Sequence, residues 1–353
     1  MGLTRVELEN FTAFRSLKLD LCPGVNVLVG ANGTGKTHLM KVCYAACNVS
    51  RNRGDDFGHK LVAVFLPSRR NLHRLVRRQE GVAGVATILV ARGARQLKAS
   101  FVSHLVASKP VPLRPSTFTA DEPDDDAEER ASKSMESVYI PPKEMLSNAP
   151  GFRSLYSNRE VHFEEVYRDI LDRAYLPALR GPIGNDGECL LEKLREAIGG
   201  EVAVEGEEFF LRSEQGDLEF SLLAEGVRKL ALLWLLMRNG TLQPESVLFW
   251  DEPETNLNPK LFGVVTDVLL ELQRQGVQVF LATHDYVVLK ELDLRATAAD
   301  KVAYHALYQK EPARGVHCDT TYSYRDIHPN AIADTFTNLY NREIRRSLQG
   351  AAR

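Results

Sequence analysis

The sequence has little excess of either charge: 44 lysines and arginines stand against 47 aspartates and glutamates, a formal net charge of −3. That balance excludes a bulk basic field for nucleic acid, so any contact with DNA or RNA must be local. No stretch reaches the roughly 18–20 uninterrupted apolar residues of a membrane helix. Met1 to Asp20 alternates like a strand and carries no signal-peptide core, so a cytoplasmic protein with no membrane partner is expected. Cysteine is sparse, with Cys22, Cys43, Cys47, Cys189 and Cys318 an odd and scattered set. Cys43 and Cys47 are four apart, yet no second Cys or His pair stands at ligand spacing, so they read as reduced thiols on a buried helix face. Sustained heptads are absent as well, which excludes a long coiled coil.

What is present is a core of useful size. A chain of 353 residues, 44% of them hydrophobic, can bury one large α/β unit or two lobes. The apolar stretch Val25 to Val29 runs directly into Gly30-Ala31-Asn32-Gly33-Thr34-Gly35-Lys36-Thr37. Glycines at Gly30, Gly33 and Gly35 let backbone N–H groups curl around an anion, while Lys36 supplies a point charge and Thr37 a hydroxyl for Mg²⁺. A helix predicted over Thr37 to Ala46 would aim its positive end at the same phosphates. This is a P-loop. A second apolar strand, Ser246 to Trp250, ends in Asp251 and Glu252, one acid suited to hold Mg²⁺ and the next to polarise an attacking water. A third strand, Val277 to Ala282, ends at Thr283-His284-Asp285 and would bring His284 to the same edge of a parallel sheet.

The remaining pattern is consistent with two lobes. Arg5 to Leu8 and Ser16 to Leu21 alternate with period two, as antiparallel N-terminal strands do. Further strands are expected at Leu61 to Leu66, Val85 to Ala91 and Gln96 to Val102. Helices are expected over Phe163 to Arg180 and Leu190 to Ile198, then a β pair at Val202 to Val204 and Glu207 to Leu211. Val227 to Met237 and Ala331 to Leu348 read as helices, the last with a stripe of Phe336, Leu339, Tyr340, Ile344 and Leu348 that would pack on the body. Arg69, Arg70, Arg74, Arg77 and Arg78 follow Pro67 in an expected helix, as either a solvated face or a local phosphate contact. The acidic run Asp121 to Glu129 reads as a solvated loop.

Taken in order, GANGTGKT, Leu223-Ala224-Glu225-Gly226-Val227-Arg228-Lys229, VLFWDEPETNLNP and FLATHD resemble the ABC-type ATPase head of the SMC, double-strand-break-repair, RecF and OLD groups. The resemblance is closer to the small bacterial AAA-family ATP-binding proteins of abortive-infection and anti-phage systems. It implies an α/β P-loop NTPase of ABC-ATPase head type, with a mixed, largely parallel core sheet, N-terminal antiparallel strands and an inserted helical lobe. The implied division is an N-terminal lobe over 1–150, a helical lobe over 151–240 and a C-terminal lobe over 241–353. By the same resemblance Gly30 to Thr37 bind ATP, Thr37 and Asp251 hold Mg²⁺, Glu252 is the catalytic base and His284 the switch histidine. Glu254 to Leu257 form the D-loop, and Glu225 with Gly226 form a signature that completes the site of a partner subunit. The signature departs from LSGGQ, with Ala224 where a serine is usual. The segment Ser137 to Glu144 takes the Q-loop position without a Gln, leaving Lys143 or Glu144 as substitutes or the Pro-Pro pair as a rigid loop. The implied partners are a second copy of the chain and a separate effector, a nuclease or toxin. A RecF-like repair ATPase and a transporter ATPase subunit are the alternatives.

Overall fold

The computed structural model describes residues 2–51, 57–78, 84–93, 95–102, 117–120, 135–159, 161–181, 183–310 and 315–350. The acidic run expected as a solvated loop lies outside them.

The chain opens with a hairpin, β1 (Arg5–Phe11) and β2 (Phe14–Asp20), then enters the core with β3 (Val25–Val29). After the loop come α1 (Lys36–Arg51) and α2 (Phe57–Phe65), then β4 (Val85–Arg92), β5 (Arg95–Val102) and β6 (Thr117–Ala120). β1, β2, β4, β5 and β6 form one antiparallel sheet in the order β2-β1-β4-β5-β6. Its first two strands bury every second residue or so, Val6, Leu8 and Phe11 against Phe14, Leu17 and Leu19, as half-buried strands must.

The chain returns through β7 (Ser137–Ile140) to a helical region of α3 (Phe152–Asn158), α4 (Glu165–Ala174) and α5 (Asn185–Ile198). A small antiparallel sheet, β8 (Glu201–Glu205), β9 (Glu208–Ser213) and β10 (Gly216–Glu219), leads into α6 (Glu225–Arg238). Then β11 (Val247–Asp251), α7 (Phe262–Arg274), β12 (Gln278–Thr283), α8 (Tyr286–Arg295), β13 (Val302–Tyr308), β14 (His317–Thr321) and α9 (Ala331–Gly350) complete the fold. The central sheet has the order β14-β13-β3-β12-β11-β7, parallel throughout except for β14. β3, β11 and β12 are buried on both faces, which is why their sequences run apolar without alternation. Successive residues feed two cores. Leu248, Trp250, Val279 and Leu281 join the helical side, while Phe249, Phe280 and Tyr139 join α1, α2 and the antiparallel sheet.

Several expectations are corrected. Leu61 to Leu66 lies in helix α2 with Leu66 after its end; Phe57, Leu61 and Val64 are buried at helical spacing against α1, and this packing outweighs the strand preference of the valines. The arginines after Pro67 do not share a helix face. The segment forms two short turns, Ser68–Arg70 and Leu72–Leu75, with Arg69 and Arg70 both left-handed at φ 58° and 49°. Arg77 turns inward and donates to the Ala13 carbonyl at 2.7 Å. The helix expected over Phe163 to Arg180 is only α4, entered from an extended Glu164. β10 was not expected, because its residues are all exposed and carry no apolar alternation. The stripe on α9 packs only at its start: Ile332 is buried and Phe336 stacks on Tyr286 at 4.5 Å, whereas Leu339, Tyr340 and Leu348 are exposed. Cys43 and Cys47 are buried in α1, and burial pushes the Cys47 thiol up to about 12. Among the described residues no group of acids, histidines or cysteines forms a metal cluster, and no helix is long and apolar enough to cross a membrane.

Candidate nucleotide site

The site is assembled at the end of the parallel sheet where β3, β12 and β11 lie side by side. Val29 pairs with Thr283, and Ala282 pairs with Asp251, so three chain segments leave the sheet along one rim. Strand polarity puts Lys36, Asp251 and His284 in one neighbourhood although the first and last are 248 positions apart.

The loop after β3 depends on two glycines for distinct reasons. A Cβ at Gly30 would lie 2.3 Å from the Leu307 carbonyl, and one at Gly35 would lie 2.7 Å from the Phe14 ring. Ala31, Asn32 and Gly33 form the exposed tip, while Thr34 is buried and its hydroxyl donates to Ala31 O at 2.9 Å. Lys36 is buried, and its ammonium donates to the carbonyls of Gly30 at 2.7 Å and Ala31 at 3.1 Å. Burial draws its pKa below the usual lysine value, against the opposing pull of Asp251, Glu252 and Glu254.

Asp251 ends β11 at 1% exposure. Tyr139, from the neighbouring strand β7, donates to its Oδ2 at 2.9 Å. Burial holds the carboxyl above its ordinary pKa, outweighing the Thr37 hydroxyl and Tyr139, with the Glu252 charge acting in the same direction as burial. Its Oδ1 is buried with no hydrogen-bond partner. An orphaned carboxylate oxygen beside a threonine hydroxyl is a donor set that fits Mg²⁺, which takes oxygen ligands and few of them from protein. Thr37 and Asp251 would hold that ion.

Glu252 follows in the left-handed region, at φ 50°, a conformation an ordinary side chain adopts only at a cost. Its carboxylate is 32% exposed, accepts from Thr255 Oγ1 at 3.3 Å and lies 3.7 Å from His284 Nδ1. His284 Nδ1 is also 3.4 Å from Glu254 Oε1. Glu254 accepts from Thr283 Oγ1 at 2.9 Å and from the His284 amide at 3.0 Å, and burial raises its pKa.

The signature segment reaches the D-loop of its own chain. Asn256 Nδ2 donates to Glu225 Oε2 at 2.8 Å, and Lys229 Nζ donates to Thr255 O at 2.6 Å. A Cβ on Gly226 would lie 2.9 Å from Asn256 O and 3.0 Å from Leu257, so the glycine admits the D-loop backbone against α6. Ala224 caps α6 without a side-chain bond and is exposed. In the segment after β7, Lys143 is exposed, and Glu144 is committed to Arg228, the Leu146 amide and Ser147. Glu144 therefore braces α6, and the Q-loop reading of it is corrected.

Thr255, Thr283 and Lys229 stood inside the motifs read from the sequence, but no individual role was given to them. The contact of Tyr139 with Asp251 was missed, because strand register recruits it and it carries no local signature.

Comparison with known proteins agrees with this geometry. A family described as "AAA domain, putative AbiEii toxin, Type IV TA system" matches residues 115–290, and a second family described as "AAA domain" matches residues 5–66. The DNA replication and repair protein RecF of Acidothermus cellulolyticus is 49% identical over 57 residues, which are 16% of this chain and 15% of that protein. RecF of Heliobacterium modesticaldum is 49% identical over 41 residues, 12% of this chain and 11% of that protein. The chain thus matches only a small part of these curated relatives. In fold it is similar to an Smc head solved bound to the C-winged helix domain of ScpA, with a TM-score of 0.52 and 12% identity, covering 91% of this chain and 98% of that one. These matches give AAA-domain sequence over residues 5–66 and 115–290 and, for the chain, the ABC-type fold of an SMC head.

Proposed function

We propose that this chain binds and hydrolyses ATP with Mg²⁺ and serves as an ATP-driven dimerisation switch for a separate effector. The observation that carries the reading is the buried, partnerless Oδ1 of Asp251 beside Thr37, at the rim where the P-loop tip lies open and Glu252 is half-exposed. Bound Mg²⁺ would supply charge neutralisation at the β- and γ-phosphates. The residues do the rest. The amides of Gly30 to Thr37 and the Lys36 ammonium orient the phosphates, Glu252 accepts a proton from the attacking water, and His284 faces the γ-phosphate from β12.

In this reading the second copy presents Ala224 and the first amides of α6, while Gly226 serves the cis contact with the D-loop. Of the lobes 1–150, 151–240 and 241–353, the helical lobe 151–240 is the unit that shifts, because strands of the other two share the central sheet. The toxin–antitoxin description of the family matched over 115–290 supports a role in anti-phage defence. The RecF matches favour a second reading, DNA repair or recombination, and a DNA-stimulated hydrolysis rate would select it.

Glu252→Gln tests the core of the proposal. It should keep ATP affinity and lose about 10²- to 10⁴-fold in turnover, the scale of a removed general base. Its sedimentation with and without ATP should show an ATP-dependent dimer, strengthened by Ala224→Ser. Near-normal hydrolysis moves the base elsewhere, and a monomer under all conditions removes the switch.

A further inference from the structure

Glu254 is the acid that the P-loop chemistry leaves without a task, and its surroundings are unusual for a loop residue. Its side chain is 7% exposed, although it stands three residues past the strand end. One oxygen, Oε1, gathers three groups of the neighbouring strand end: the Thr283 hydroxyl at 2.9 Å, the His284 amide at 3.0 Å and His284 Nδ1 at 3.4 Å. The other oxygen, Oε2, is buried with no partner. A structural carboxylate would divide its acceptors over both oxygens, since a buried lone acceptor is unfavourable. Both hydrogen bonds come from Thr283 and the backbone of His284, and the ring nitrogen Nδ1 of that histidine lies 3.4 Å from the same oxygen. Thr283 Oγ1 in turn accepts from the Asp285 amide at 3.0 Å, and Asp285 caps α8 through Val287 and Val288. The turn that carries His284 is thus held from Glu254 on one side and from α8 on the other.

We infer that Glu254 is a positioning residue for His284: it fixes the turn and keeps the ring in the tautomer with its proton on Nδ1, so that Nε2 faces the nucleotide as an acceptor. The chemistry is that of a carboxylate orienting an imidazole through its far nitrogen. Glu252 Oε1 lies farther from the same nitrogen, at 3.7 Å, while its other oxygen, Oε2, accepts from Thr255 Oγ1, so the nearer carboxylate sets the orientation. The inference rests on the ATPase reading for its kinetic consequence, though not for the tautomer itself.

Two measurements test it. In steady-state ATP hydrolysis Glu254→Ala should lower kcat about 10- to 100-fold, as loss of an orienting partner does, with KM little changed. In a His284→Gln background the same substitution should cost nothing further, because its effect passes through the histidine. A full, additive loss in that background overturns the inference. Glu254→Leu fills the same space without an acceptor and replaces Glu254→Ala in both backgrounds if the alanine variant does not fold. Nitrogen-15 NMR of the nucleotide-free protein, with His284 assigned by subtraction of the His284→Gln spectrum, reads the tautomer without turnover. The Nδ1–H form is expected in the parent and its loss in Glu254→Ala or Glu254→Leu. An unchanged tautomer overturns the inference whatever the kinetics show. A parent that does not hydrolyse ATP refutes the ATPase reading and leaves the NMR result to decide for Glu254.

Discussion

Asp169 and Asp251 are both buried aspartates in the body of the same protein, and their surroundings treat them in opposite ways. Asp169, on α4, sits where α1 and α2 pack against the helical region. Its Oδ2 accepts from Lys60 at 2.8 Å and from Tyr44 at 2.7 Å, and its Oδ1 accepts from Arg168 at 3.0 Å. Burial alone would raise its pKa, but Lys60, Tyr44 and Arg168 together bring it below the ordinary value. Asp251 has Tyr139 on Oδ2 and the Thr37 hydroxyl close by, keeps a buried Oδ1 without a hydrogen-bond partner, and is raised by burial. The lysines divide in the same way. Lys60 is locked between Glu165 at 2.9 Å and Asp169, whereas Lys36 holds only the carbonyls of its own loop. A charge that serves the fold is satisfied within the fold, and a charge that serves a ligand is left incomplete until the ligand arrives.

That contrast can be broken most directly by stability measurements. Removing one member of the closed cluster leaves buried charges uncompensated, so Asp169→Ala should cost about 3–5 kcal/mol in urea unfolding. Asp251→Asn should cost little or nothing, since it replaces an incompletely bonded carboxylate with a neutral isostere. Equal losses from the two would erase the distinction.

Nucleotide binding should reverse the order. Lys36→Ala is expected to weaken ATP binding by at least about 100-fold in calorimetry, consistent with the loss of one or two charge-assisted bonds at about 1.5–3 kcal/mol each. Its unfolding midpoint should stay near that of the parent. Undiminished affinity would place the phosphates away from this loop.

The smallest effect is in acid. The folded pKa of Asp169 is lowered, so the unfolded chain binds its proton first as pH falls. Its contribution is complete above the unfolded value of about 3.9 and is lost as pH drops through the lower folded value. Asp251 is raised, so its contribution is present below about 3.9 and is lost as pH rises through the folded value. Stability followed from pH 6 downward should therefore fall less steeply for Asp169→Asn than for the parent. The difference amounts to about 1.4 kcal/mol for every factor of ten by which folding weakens the carboxylate's affinity for its proton. Asp251→Asn should change the slope in the other direction. Slopes of the same sign would show that the two carboxyls are held alike.

The legible part of the molecule was the part whose chemistry is local. The P-loop could be read because its glycines, lysine and threonine act within eight consecutive residues, and β3, β11 and β12 because strands buried on both faces are mostly apolar without alternation. α2 was not legible: Leu61 to Phe65 has the valines of a strand, and only its contact with α1 selects the helix. Arg70, Arg74 and Arg77 have the spacing of a helix face, but two left-handed residues break that face apart. Glu144 stood in the right segment, and only the fold shows that Arg228 claims it.

The sequence by itself marked the candidate residues for nucleotide chemistry, because backbone curvature, a point charge and paired carboxylates at strand ends are properties of short segments. The tertiary structure alone decided how they work together. Tyr139 reaches Asp251 through the register of β7 on β11, and Glu254 reaches His284 because β11 and β12 end side by side. Gly226 meets the D-loop because α6 packs across it. Each of these contacts joins residues far apart in the chain, and it is strand order and helix packing, not local preference, that fixes such distances.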